Sequence, residues 1–432
     1  MPLTTNNTSL VTPARLFRET VLLCALFGGL CFPLIFSKQE CNYSQDESSF
    51  HLPAIRQIAA HWPLLDIAND SLSATAPGYH YLLATAALLT GQSTVALRLI
   101  NWTVSVLVLI VLFRHVRTHL SGLDAALVLL PLGCSSFFVK SASWVVTDNA
   151  ALLLVTLCIL SCLKKRADTH GDWKTSLLIA VSVFIRQMTI WLAVLPLASA
   201  ITSPHEERRR KIVRACLWSI PPFVMLSVLI IKWSGLVPPA WRETSVALSS
   251  AGPVYLLSVF ALFAFFYLPN YRTASEFKPE RTLLVSAAFV GLVLSLLQPT
   301  TPDHTAGRWG GYLWNLAEYF PQLADRDLIF CLLCPLGTIA VAAVWQTLIA
   351  KGNHQAAVLF IVGLIAWTAT FVVNRQAFHR YFEPTILVFF ISLTPLLVQK
   401  TASLRRWRIG LALCSVAQLG VTLATAHLAV FR

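Results

Sequence analysis

LFRETVLLCALFGGLCFPLIF, residues 16–36, followed by SKQECNYSQDESSFHLP, residues 37–53, decides how this chain is read. The first string is an apolar run of the ~20 residues that a helix needs to cross a hydrocarbon core. The second is polar and carries an adjacent acidic pair, Asp46-Glu47. Carboxylates at the mouth of an apolar segment are costly unless they face water, a partner or a ligand.

Runs like the first recur to the C-terminus. The expected spans are Leu16–Phe36, Leu97–Phe113, Leu123–Val139, Asp148–Leu163, Thr175–Ile185, Met188–Ile201, Ala215–Trp233, Val254–Leu268, Thr282–Leu297, Leu328–Trp345, Ala356–Val373, Thr385–Val398 and Ile409–Val430. Of the 432 residues 56% are hydrophobic and 12% charged, and mean hydropathy is +0.66; a soluble domain carries roughly 25% charged residues. Backbone in lipid is satisfied only in helices or closed barrels, and continuous runs without period-two alternation select helices. The expected fold is therefore an all-α polytopic membrane protein of about 13 spans.

With the N-terminus cytoplasmic, the basic loops, including Arg208-Arg209-Arg210-Lys211, share the cytoplasmic face, as the positive-inside rule requires. The formal charge of +13 is thereby explained without nucleic acid, because short loops offer no binding surface. Asp46, Glu47 and Asp148 fall on the opposite face, where chemistry is expected. Tyr79–Leu89 would invert every later loop if it crossed, so it reads as re-entrant or interfacial. Thr175–Ile185 and Met188–Ile201 read as a hairpin with Arg186-Gln187 at its outer tip. The ten cysteines are scattered through apolar runs and suggest neither a disulfide nor a zinc framework. The first apolar run has no small-residue cleavage site and reads as a retained anchor.

Phe50, Leu52, Ile55, Ile58 and Trp62 follow the acidic pair at helical spacing, as in a helix lying in the interface plane. Its acids either complement the helix dipole or do chemistry. Asp148, after Trp144-Val145-Val146-Thr147, is a helix cap on its own, but it shares a face with Asp46. Two such acids can hold a divalent cation, or divide the tasks of general base and orienting group. Arg186 at membrane depth requires an anionic partner, either Asp46 or Asp148 or a ligand phosphate. Gln187 stands beside it. The outer loop Asn374–Pro384 supplies Arg375, His379, Arg380 and Tyr381, a group suited to a departing phosphate. A second outer loop, Gln298–Asp327, carries Asp303, His304, Arg308 and several aromatics, which suit sugar stacking but also match an interfacial belt.

Taken in order, these residues resemble the GT-C superfamily of polyprenyl-phosphate-sugar-dependent glycosyltransferases. Asp46-Glu47-Ser48-Ser49-Phe50-His51-Leu52-Pro53, Thr75-Ala76-Pro77-Gly78-Tyr79, Leu97-Arg98-Leu99-Ile100-Asn101 and Arg186-Gln187-Met188-Thr189 are similar to stretches of the dolichyl-phosphate-glucose-dependent alpha-1,2-glucosyltransferases. His379-Arg380-Tyr381-Phe382-Glu383-Pro384 departs from that family and is closer to bacterial lipid-sugar transferases. The resemblance implies one membrane domain over residues 1–432. Residues 16–201, with outer loop 37–96 and its interfacial helices, would be the catalytic module, and 215–432 variable C-terminal helices. It implies an inverting hexosyl transfer from a dolichyl- or undecaprenyl-phosphate donor to a glycan, lipid or protein acceptor, in the bacterial inner membrane or endoplasmic reticulum membrane, on the periplasmic or lumenal side. Asp46 would be the base, Glu47 and Asp148 orienting groups, and Arg186, Gln187, His379 and Arg380 the donor-phosphate site. His51, Arg98, Arg308 and Tyr381 would belong to the substrate loops. It calls for no cofactor, with a divalent cation as the open alternative. The rival readings are a lipid or sugar transporter, which intramembrane charges also mark, and a noncatalytic scaffold.

Overall fold

A computed structural model describes residues 12–38, 42–62, 73–164, 171–246, 248–268, 280–297, 310–398 and 404–431. These form a helical bundle whose β-structure is one short antiparallel hairpin, Gln322–Leu323 with Arg326–Asp327, and an isolated bridge between Val246 and Asn374. Among the described residues, seven helices are long and apolar enough to cross a membrane: Pro13–Ile35, Thr94–Arg117, His205–Trp233, Leu328–Ala350, His354–Val372, His379–Leu397 and Trp407–His427. Asp148–Leu163, Trp173–Ile185, Gln187–Ile201, Ala251–Tyr267 and Arg281–Leu296 are apolar but shorter. The chain is an integral membrane protein. The described structure does not establish thirteen crossings, because these five helices fall short of the usual crossing length.

The expected span Leu123–Val139 is broken. Gly122–Gly133 and Ser136–Ser143 meet at 73°. Ser135 caps the second piece by accepting from Phe138 N at 3.3 Å, and the Cys134 carbonyl accepts from the Thr422 hydroxyl at 2.6 Å. A break in a buried helix survives only when the groups it frees find partners. Thr422, in the last long helix, is therefore part of the bend.

The hairpin at Arg186 is present. At one end Gln187 Nε2 reaches the Leu236 carbonyl, just beyond helix His205–Trp233. At the other, Gln355 Nε2 bridges Ser199 Oγ and the Cys162 carbonyl, at the far end of Asp148–Leu163. Arg186 is the turn, in extended backbone.

Ala251–Tyr267 and Glu383–Leu397 are buried over most of their length and form the centre of the bundle. One apolar cluster runs from Leu23 to Val430 and draws on both halves of the chain. A second, smaller cluster joins Leu52–Ala60 to Gly78–Thr90 through Leu52, Ile55, Ile58, Tyr79 and Leu83. These two helices form the layer at the end of the bundle where the acids sit. The first continues from Asn42–Asp46 through a widened turn, Glu47–His51, closed by Leu52 N donating to Glu47 O. Such one-turn widenings cluster at functional sites.

Thr422→Val keeps the shape and leaves the buried Cys134 carbonyl unpaired, a loss of about 1–3 kcal/mol. Its melting temperature in detergent should fall by several degrees, while Thr425→Val, at the neighbouring hydroxyl pair with Ser136, should change it less.

Candidate functional site

Asp46 and Glu47 are neighbours on one helix and point apart. Glu47 is 2% exposed and grips Arg98, with Nε at 2.9 Å from Oε1 and Nη2 on Oε2. Arg98 Nη1 donates to the Ile35 and Ser37 carbonyls, both at 3.0 Å, and so satisfies orphan groups at the end of the first helix. The Val145 N–H donates to Glu47 Oε1 at 2.9 Å. One ion pair thus joins the end of helix Pro13–Ile35, the acid-bearing helix, the start of Thr94–Arg117 and the segment leading to Asp148. Both ions have the extra hydrogen bonds that a buried pair requires.

Asn101, one turn beyond Arg98, holds the same segment. Its amide donates to the Ser141 and Trp144 carbonyls, the latter at 2.6 Å, while its oxygen accepts from Tyr79 OH at 2.7 Å. Gln187 ties the Arg186 turn to the Pro-Gly turn, accepting from Ala76 N at 3.0 Å and donating to Ala74 O at 2.9 Å. At Gly78 a Cβ would stand 2.7 Å from the Phe184 carbonyl, so only glycine permits that approach.

Four charges converge in this frame. Asp46 pairs with Arg380, and Asp148 pairs with Arg186 at 2.6 Å. Tyr381 packs beside both cations, 4.6 Å from the Arg186 guanidinium and 5.4 Å from that of Arg380. Each acid faces a guanidinium, giving a neutral quartet. Two cavities meet at Arg186, Met188 and Tyr381. One, of about 60 Å³, is lined by Asp148, Arg186, Arg380, Trp191 and Trp367. The other, of about 140 Å³, runs past Gln187 along Ile190, Leu226, Leu236, Val237 and Val373. The second is apolar and about the size of an engineered cavity that holds a benzene ring.

His51 Nδ1 lies 2.8 Å from His80 Nε2, with the rings stacked. Burial pushes the His51 ring down to about 4, with Asp148 opposing and Arg380 and Arg186 reinforcing. Burial and His51 push His80 down to about 3. Both are therefore neutral at pH 7, and one N–H serves the pair.

Of the residues singled out in the sequence, Asp46, Asp148, Arg186, Gln187, Arg380 and Tyr381 are brought together. Glu47 and Arg98 lie behind Asp46 as a buried pair. His379 is fully buried and bonds Tyr255 and Glu383 rather than lining either cavity. Arg308 lies outside the described residues. Among the described residues no three His, Cys, Asp or Glu side chains converge as a metal site. Asn101, Tyr255 and Glu383 carry structural roles that their surroundings in the sequence conceal. Asn101 and Glu383 stood inside the quoted stretches 97–101 and 379–384, and Tyr255 left no signal.

No family model matches the chain, and no curated protein matches it. A solved structure, ArnT from Cupriavidus metallidurans bound to undecaprenyl phosphate, is similar over 94% of this chain and 77% of that one, at 13% identity and a TM-score of 0.39. The functional reading rests on the site itself.

Removing one partner of a buried ion pair costs about 3–5 kcal/mol, so Arg98→Met should unfold the protein in detergent at markedly lower temperature, whereas the joint change Glu47→Leu with Arg98→Met should recover much of the loss. For the histidines, an unfolded ring takes a proton near pH 6.5 and the folded rings do so only near 4 and 3. Stability is therefore full above pH 6.5 and falls as pH drops toward 3. The melting temperature across this window should decline less steeply in His80→Gln.

Proposed function

We propose that this chain is an inverting glycosyltransferase of GT-C type that moves a hexose from a polyprenyl-phosphate donor to a lipid-linked glycan or another hydroxyl-bearing acceptor. The observation that carries the reading is the Asp46–Arg380 and Asp148–Arg186 quartet, set where an apolar bundle ends and an apolar cavity begins. That arrangement suits a ligand with a phosphate head and a hydrocarbon tail. The hexose and the dolichyl-type donor follow from the likeness of the acidic-pair, Pro-Gly and Arg-Gln stretches. The basic loops at the opposite ends of the helices support a periplasmic or lumenal site.

In this reading the tail occupies the 140 Å³ cavity and the phosphate takes up guanidinium N–H groups at Arg186 and Arg380. Arginine suits this task because its planar fork matches phosphate oxygens. As Arg380 turns to the phosphate, Asp46 is released as a base. An acceptor hydroxyl gives its proton to Asp46, and its oxygen forms a bond to the anomeric carbon from the face opposite the leaving group. The bond from that carbon to the phosphate oxygen breaks, its electron pair stays on the phosphate, and polyprenyl phosphate departs with inversion. Asp148 keeps Arg186 aimed, and Arg186 and Arg380 meet the charge that grows on the leaving oxygen, a contribution of about 3 kcal/mol per well-placed donor. Each of these steps falls to a residue of this chain, and Glu47 acts only through the placement of Asp46.

The test is transfer of radiolabelled hexose from polyprenyl-phosphate hexoses to a lipid and glycan extract by the purified protein. Asp46→Asn should lower kcat by about a hundredfold or more, the scale of a lost general base, while eluting and melting as wild type does. Equal transfer by both proteins removes Asp46 as the base. Sugar translocation across vesicles without transfer would replace the reading with transport.

A further inference from the structure

Glu383 opens the central helix Glu383–Leu397 and is fully buried. Oε1 accepts from the Ser135 hydroxyl and from Gln418 Nε2 at 3.0 Å. Oε2 accepts from the Tyr312 hydroxyl and meets His379 Nε2 at 2.8 Å. Nδ1 of the same ring lies 2.6 Å from the Tyr255 hydroxyl, so the imidazole links Tyr255 to Glu383 through its two nitrogens. The His379 ring also stacks on Phe137, with centroids 4.9 Å apart.

The main chain of His379 is fixed as firmly. Its N–H donates to the Gly310 carbonyl at 2.8 Å. Gly311 follows at φ +134°, where a Cβ would stand 2.2 Å from that of His379, so no other residue fits. Trp314 Nε1 donates to Ala377 O at 2.8 Å. His379 begins the tight turn His379–Tyr381. The two residues that complete the turn face the quartet, Arg380 on Asp46 and Tyr381 beside Arg186.

Buried polar and ionic groups can often be replaced by apolar side chains of equal volume without loss of stability. What a fully satisfied polar network adds is a single geometry. We infer that the Tyr255–His379–Glu383 chain is a positioning device that holds Arg380 and Tyr381 in register with Asp46 and Arg186. Tyr255 and Glu383 are thus positioning residues. They touch no reacting atom and act through the turn that His379 anchors. The kinetic arm of the test rests on the glycosyltransferase reading, and the structural arm does not.

Tyr255→Phe removes one hydroxyl and Glu383→Gln keeps shape while removing an acceptor, so either variant serves if the other fails to fold. Hydrogen exchange of the full-length protein in lipid nanodiscs is expected to quicken about tenfold over residues 378–382 in either variant, while residues 148–152 exchange as in wild type. In the transfer assay kcat should fall roughly tenfold with donor KM held within about twofold. In an Arg380→Lys background, Tyr255→Phe should cost less than about twofold more, because its effect passes through Arg380. Unchanged exchange over 378–382, or losses that multiply in the double variant, would overturn the device. A wild type that transfers no sugar removes the glycosyltransferase reading, and the exchange measurement still decides for or against the device.

Discussion

The bidentate grip of Arg98 on Glu47 is the contact on which the outer end of the bundle depends. Neither ion is stable there alone, since each is buried and charged. Together they bind the end of one helix, the start of another, the acid-bearing turn and the Val145 amide. Asp46 follows from this contact because it is bonded to Glu47, and Asp148 because it lies three residues beyond Val145. The separation of the two acids is therefore a property of a pair whose side chains bond to neither carboxylate.

A second buried acid, Glu383, seats the turn that bears Arg380 and Tyr381. The quartet is held by two polar networks, Glu47 with Arg98 and Glu383 with His379, and the second draws Ser135 from the first half of the chain. The Arg186 hairpin completes it, fastened through Gln187.

Much of this was legible in the sequence because charges in apolar runs are conspicuous. Asp46, Asp148, Arg186 and Arg380 stood out as charges beside apolar runs, and the need of Arg186 for an anion left Asp46, Asp148 or a ligand phosphate as its partner. The pairing itself was not legible. Asp46 and Arg380 are 334 residues apart, and nothing local links them. Glu47 and Arg98 resembled site residues because sequence shows charge and does not show burial. Glu383 stood in the quoted stretch 379–384 with nothing there to show that its carboxyl is buried. The bend at Cys134 escaped for a related reason: residues 123–139 read as one apolar run, and the hydroxyl that takes up the freed carbonyl comes from Thr422. Sequence periodicity reports what a segment would do alone, and these features are settled by segments that arrive later.

The returning arm of the hairpin begins with seven residues in a tight 3-10 coil, Gln187–Ala193, before eight in a regular helix, Val194–Ile201. A 3-10 coil advances about 2.0 Å per residue against 1.5 Å for an α-helix. The arm therefore reaches about 26 Å with a stretch that would cover about 22 Å if wound regularly. Thinning the coil compensates for a short segment, and the difference falls at the end that carries Arg186. Wound as a plain helix, the same residues would draw that guanidinium about 4 Å toward the hydrocarbon; stretched, they leave it level with the acids it serves.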